Sequence, residues 1–152
     1  MDELTIVEYS PNYGPELVQM WRTSFEQGVG ITDWHSLEDQ LRALEEKIVP
    51  HNRVLVVLDR NLSAVIGFIA YSSDTVSNLY VHVDHHNKGI GTKLLDIAKN
   101  DSKGVLRLFT LEANKRAQRF YERHGFKIIR RGFEEFWQLP DIEYEWVRDS
   151  ST

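Results

Sequence analysis

The chain has 152 residues, 41% of them hydrophobic and 27% charged, the composition of one soluble globular domain with little room for a second. It has no cysteine, which excludes disulfides, thiolate metal sites and a cysteine nucleophile. The net charge of −5 argues against nucleic acid as a partner, because phosphate binding is driven by clustered Lys and Arg.

Met1-Asp2-Glu3 is acidic, so no signal peptide is read there, and no run approaches the roughly 18 apolar residues that span a bilayer. A cytoplasmic protein without a membrane partner is expected. Residues 4–9 alternate apolar and polar side chains and predict a strand. Pro11 opens a helix to about residue 27, with Leu17, Trp21 and Phe25 inward and Gly28 and Gly30 ending it. Ser36, with Asp39 three residues on, predicts the start of a second helix. Its stripe is Leu37, Leu41, Leu44 and Ile48, and Pro50 stops it. Strands follow at residues 53–58, 63–73 and 75–83, the first two joined by an Asp59-Arg60-Asn61 turn. Residues 89–103 form a helix with Ile90, Leu94, Ile97 and Ala98 inward, and residues 105–111 a strand. Residues 114–124 form a helix closed by Gly125, residues 126–130 and 142–147 the last strands, and residues 149–152 a frayed tail. The order β-α-α-β-β-β-α-β-α-β-β implies an α/β (α+β) fold in one domain, residues 1–152. Its sheet is mixed but mostly antiparallel, with about seven strands, about four flanking helices and a parallel step near the Val81 strand.

Two segments carry chemistry. In the first, a strand ending Leu79-Tyr80-Val81-His82-Val83 runs through a polar loop into Lys88-Gly89-Ile90-Gly91-Thr92 at a helix start. Glycine amides in a first helical turn can approach an anion closely, the helix dipole favours it, and Lys88 adds charge. Thr92 between Gly91 and Lys93 excludes a P-loop, and Leu94 stands where a dinucleotide fingerprint needs a third glycine. The glycines alone also fit a plain tight turn. In the second segment, Asn114, Ala117 and Tyr121 fall at i, i+3 and i+7 and share a helix face. They suit a polar ligand lying along the helix, or equally a cap and a half-buried core tyrosine.

Taken together and in this order, the segments resemble the GNAT superfamily of N-acetyltransferases. His86-Asn87-Lys88-Gly89-Ile90-Gly91 lies on the family's Gln/Arg-x-x-Gly-x-Gly/Ala loop. Asn114 through Phe126 resembles its Asn-x-x-Ala-x-x-Phe-Tyr-Glu-x-x-Gly-Phe helix. A narrower likeness to a bacterial subgroup rests on Leu106 through Thr110, Glu134-Glu135 and Leu139-Pro140-Asp141, and implies no substrate. The resemblance implies acetyl-CoA as co-substrate and an amine acceptor. The Val81-His82-Val83 backbone would hold the pantetheine arm, and a Val81 amide would polarise the acetyl carbonyl. Amides from Lys88 through Gly89, Ile90, Gly91 and Thr92 would cradle the pyrophosphate, together with His86 and Asn87. Asn114 would bond to the pantetheine beside Ala117, and Tyr121 would protonate the departing thiolate. His86 departs from the family's Gln or Arg. The same fold could also serve as a non-catalytic acyl-CoA sensor, although a mere binder needs no acid at Tyr121.

A lysine-like amine is neutral only about once in a thousand molecules at neutral pH, so a base is useful. Glu112, foremost, and Glu134, Glu135 and Asp74 are candidates. His82, His85 and His86 lack the spacing of a metal site, and none is expected. Trp34, Phe136 and Trp137 could line an acceptor pocket, whereas Trp21 and Phe25 read as core. An exposed late strand could support a homodimer.

Overall fold

The computed structural model describes residues 4–86 and 88–149. The readings of Asp2, Glu3, Asn87 and residues 150–152 lie outside them. Among the described residues, seven strands and four α-helices follow the expected order. β1 (Leu4–Glu8), β2 (Arg53–Asp59), β3 (Ala64–Tyr71) and β4 (Val76–Val81) pair antiparallel in that order. β5 (Val105–Leu111), β6 (Lys127–Glu134) and β7 (Leu139–Val147) form a second antiparallel sheet, in which β7 is central and β6 is the outer strand. The helices are α1 (Gly14–Val29), α2 (Leu37–Ala43), α3 (Ile90–Asp101) and α4 (Lys115–Arg123).

β3 shows why residues 64–71 read as one apolar run. Period two sends Phe68 and Ala70 to one face, where Leu17, Val18 and Leu44 of the α1 and α2 layer cover them. Ile69 and Tyr71 go to the other face, with Leu94 of α3, Leu106 of β5 and Tyr144 of β7. Both faces of the strand are thus core, and polar residues would be unpaired on either.

Local signals placed the helix ends. Ser36 Oγ accepts the Asp39 amide at 3.0 Å and caps α2. Gly30 and Gly125 take the left-handed conformation, φ 86° and 90°, that closes α1 and α4. Pro50 does not break the second helix sharply. The chain passes through a π turn, Leu44–Ile48, into a 3-10 turn, Val49–His51, which lets Leu44 reach the core while Leu37 stays exposed. The last two strands are longer than expected, because Arg130 to Glu134 pair with Leu139 to Glu143 in spite of their polarity.

The parallel step lies beside the Val81 strand, at its start. β4 and β5 touch only where they begin: Thr75 and Arg107 form a parallel bridge, and the amides of Lys103 and Arg107 donate to Ser73 O and Asp74 O at 3.1 and 3.0 Å. Beyond that point the strands separate and the two sheets part.

Because Phe68 is fully buried in β3, Phe68→Ala is expected to cost about 3–5 kcal/mol of stability, read as a lower denaturant midpoint with the slope kept.

Candidate active site

The gap between β4 and β5 is built from backbone alternation. The His82 amide donates to Ile66 O at 2.7 Å, so the even residues of β4 face β3. Leu79 and Val81 therefore turn their N–H and C=O groups away from β3, toward the space that β5 vacates. The Val81 carbonyl is already used: His86 Nε2 bonds to it at 2.8 Å and Ser24 Oγ of α1 donates to it at 3.3 Å. Val83 has left the strand for a 3-10 turn, where its carbonyl accepts the His86 amide at 3.2 Å. Within β4, Leu79 rather than Val83 is thus the partner of Val81 in presenting edge groups to the gap.

Two cavities open from the gap. The larger, about 720 Å³, lies between the start of α3 and α4. The smaller, about 160 Å³, lies between the end of α1, β5 and the β6–β7 hairpin. They share Leu79, Tyr80, Asn114, Ala117 and Tyr121. The expected face of α4 is thus the wall between them.

Each shared residue is held in place. Asn114 Oδ1 caps α4 by accepting the Ala117 amide at 3.1 Å. Its amide end packs on Gly28, where a Cβ would come within 2.8 Å of Nδ2. Tyr121 is buried and wedged by Phe126 and Tyr144, with ring centroids 5.5 and 6.2 Å away. Burial first, and then the Tyr80 phenol, push the Tyr121 hydroxyl well above the ordinary phenol value, so it is protonated at neutral pH. Burial likewise raises Tyr80, to about 12.

The large cleft takes in Gly89, Ile90, Gly91 and Thr92. Gly89 has φ 79° and starts α3, and at Gly91 a Cβ would press on Phe120 Cζ at 3.2 Å. Thr92 Oγ1 bonds to His124 Nε2 at 2.9 Å. Lys88 and His82 do not line the cleft. Its charge comes instead from Arg116, Arg119 and Arg123, whose i, i+3, i+7 spacing was readable in the sequence and was missed. No Asp or Glu lines it among the described residues.

The small cavity has the opposite sign. Glu134 and Asp141 line it, and no Lys or Arg does among the described residues. Phe25, Tyr80, Leu111 and Trp137 give it apolar walls, so Phe25 is both core and lining. Trp34 and Phe136 stay exposed, stacked on either side of His35 at 4.0 and 4.7 Å. Glu112 is outside both cavities, paired with Arg131 at 3.3 Å on the surface. Asp74 and Glu135 do not line them either. Among the described residues no three His, Asp or Glu side chains are grouped to hold a metal ion, and no helix is long and apolar enough to cross a membrane.

The acetyltransferase (GNAT) domain family matches residues 50–128, just over half of the chain. The chain belongs to the GNAT acetyltransferase family. Its class of chemistry is therefore acyl transfer. No curated protein matches the sequence. Among solved structures, YjaB from Escherichia coli, in its apo form, is 20% identical with a TM-score of 0.77, covering 96% of this chain and 99% of that one. YncA from Salmonella typhimurium, determined with its cofactor acetyl-CoA, is 20% identical with a TM-score of 0.68, covering 97% and 95%. The PaiA N-acetyltransferase from Thermoplasma acidophilum, in complex with coenzyme A, is 22% identical with a TM-score of 0.72, covering 95% and 98%. At these identities the likeness is one of fold. The matched segment holds β4, α3 and α4, the elements around the gap.

His86 stands where the GNAT loop usually carries Gln or Arg, and its bonds fix its state. Arg116 can only donate, so His86 Nδ1 accepts from it and Nε2–H donates to Val81 O. Burial, with Arg116 and His82 adding to it, lowers the His86 pKa against the opposing Val81 bond. A histidine lowered on folding costs stability as pH falls below its unfolded value, about 6.5. His86→Gln is expected to flatten this part of the acid limb in unfolding midpoints measured from neutral pH downward.

Proposed function

We propose that this protein is a cytoplasmic N-acetyltransferase, a single domain that moves the acetyl group of acetyl-CoA directly to a primary amine. The observation that carries this reading is the pair of oppositely charged cavities sharing Tyr121. A cleft with three arginines and a glycine-bearing helix start suits the phosphates of coenzyme A. An acidic cavity suits a cationic amine. The YncA and PaiA structures, which hold acetyl-CoA and coenzyme A, support the choice of donor.

The geometry supports a role for each residue. The outward groups of Leu79 and Val81 offer a strand edge to the amide-bearing pantetheine arm. Asn114 lines the cleft beside that path, and the amides of Gly89 to Thr92, at the helix start in the same cleft, would hold the pyrophosphate. The Val81 carbonyl is bonded elsewhere, so Val81 contributes its N–H, aimed at the charge that develops on the acetyl oxygen. His86 thus positions this strand end rather than binding phosphate. Acetyl-CoA supplies the activated acyl group. As the amine nitrogen closes on the carbonyl carbon, the C–S bond breaks and its electron pair leaves on sulfur. Tyr121 then gives its proton to the sulfur, and the new amide nitrogen returns a proton to the phenol. A buried Tyr121 hydroxyl is a poor spontaneous acid, so transfer waits until charge has collected on the sulfur.

A non-catalytic sensor would need the cleft but not the acidic cavity beyond it. Thiol release from acetyl-CoA with a panel of amines tests the reading. Tyr121→Phe is expected to slow release about a hundredfold while the affinity for acetyl-CoA holds. Equal rates would remove Tyr121 from the chemistry.

A further inference from the structure

The smaller cavity holds a carboxylate with no cation among its described lining residues. Asp141, 9% exposed, lines it near the start of β7. Among the described residues no other side chain donates a hydrogen bond to its carboxylate, which is bonded by its own backbone amide. Arg130, which partly offsets its charge, is engaged by Glu143 Oε1 at 2.8 Å. Desolvation, and then the charge of Glu134, push the Asp141 carboxyl up. Glu134 accepts the Trp137 amide at 2.6 Å, which orients it without neutralising it.

The space around Asp141 is kept open. Gly132 opposes it across the β6–β7 pair, and a Cβ there would stand 3.1 Å from Asp141 Oδ1. The other walls are Phe25, Tyr80, Leu111 and Trp137. Its own backbone amide and the engaged Arg130 offset the charge only in part, and a desolvated carboxylate beside a second acid costs the fold stability, a cost that a cationic ligand would offset. The cavity, about 160 Å³, is the size of an apolar void of roughly 150 Å³ that takes up benzene.

We propose that Asp141, with Glu134 beside it, anchors the ammonium group of the acceptor, and that the acceptor is a compact primary amine with one ring-sized apolar body and no carboxylate of its own. This rests on the reading of the protein as an amine acetyltransferase. The ammonium first pairs with Asp141, which takes one proton and leaves the nitrogen lone pair free. The nitrogen forms the C–N bond as the C–S bond breaks, and Tyr121 protonates the sulfur. The nitrogen's second proton restores the phenol, and Asp141 releases its proton to solvent. The sum is an amide, a thiol and one proton.

Titration calorimetry of phenethylamine and phenylalanine, with and without coenzyme A, tests this on the wild type, Asp141→Asn, Glu134→Gln and Gly132→Ala. Phenethylamine is expected to bind the wild type. Phenylalanine, with its added carboxylate, should bind about thirtyfold more weakly or worse. Asp141→Asn should lose a similar factor while its melting temperature rises, since a desolvated charge beside Glu134 is removed. A merely structural Asp141 would lower the melting temperature instead. Glu134→Gln and Gly132→Ala should weaken phenethylamine in the same direction by smaller factors. Three results would each overturn the anchor: no phenethylamine binding to the wild type, equal binding of the two ligands, or unchanged binding to Asp141→Asn. Coenzyme A binding and thiol release report separately on the acetyltransferase reading.

Discussion

The structure depends on two parallel neighbours, β4 and β5, that begin side by side and then part. The Thr75–Arg107 bridge and the bonds from Lys103 and Arg107 to the Ser73-Asp74 corner pin their starts. Each strand belongs to its own antiparallel sheet, so separation breaks no ladder within either. What it leaves is an edge of backbone groups along Leu79 and Val81, inside the protein rather than at its rim. Unpaired buried backbone groups are costly, and here their partners are partly supplied by Ser24 and His86. The remainder is the opening for a ligand with amide groups of its own.

The helices define this gap as much as the strands do. Gly28 and Gly91 lack side chains because Asn114 and Phe120 of α4 come close enough to forbid them. α1, α3 and α4 thereby converge on the parting strands. The convergence sorts charge: three arginines of α4 face one side of the gap, and the acids of the β6–β7 hairpin face the other. A chain with net charge −5 thus carries a cationic cleft. Net charge describes the whole surface, whereas recognition is decided by what lines one cavity.

His86 shows how a loop residue can serve the site indirectly. Its two ring nitrogens join the Val81 carbonyl to Arg116, which ties the end of β4 to the start of α4. Lowered by burial, it stays neutral at neutral pH and leaves the positive charge to the arginine. Thr92 and His124 make a second tie between α3 and α4, and His124 Nδ1 is bonded in turn to Phe120 O at 2.7 Å. His86 and His124 are thus hydrogen-bonding links between helices and strand.

The sequence by itself determined the elements and their order, because periodicity, caps and closing glycines are local. Phe68 and Ile69, Ser36 with Asp39, Gly30 and Gly125 each act within a few residues. It also determined the shared face of Asn114, Ala117 and Tyr121, since helical geometry fixes it. Spacing placed Arg116, Arg119 and Arg123 on one face too, but nothing local tells a cationic lining from a solvated surface. Asp141 could not be singled out, because its burial depends on pairing with Leu111 and on the absent side chain of Gly132. Glu112 read as the foremost base candidate from its place after β5, and only β6, two strands away in the sheet, shows its pairing with Arg131. The tertiary structure alone decided where β4 and β5 part and which charges face the gap. Both are set by contacts between residues far apart in the chain, and no local pattern encodes them.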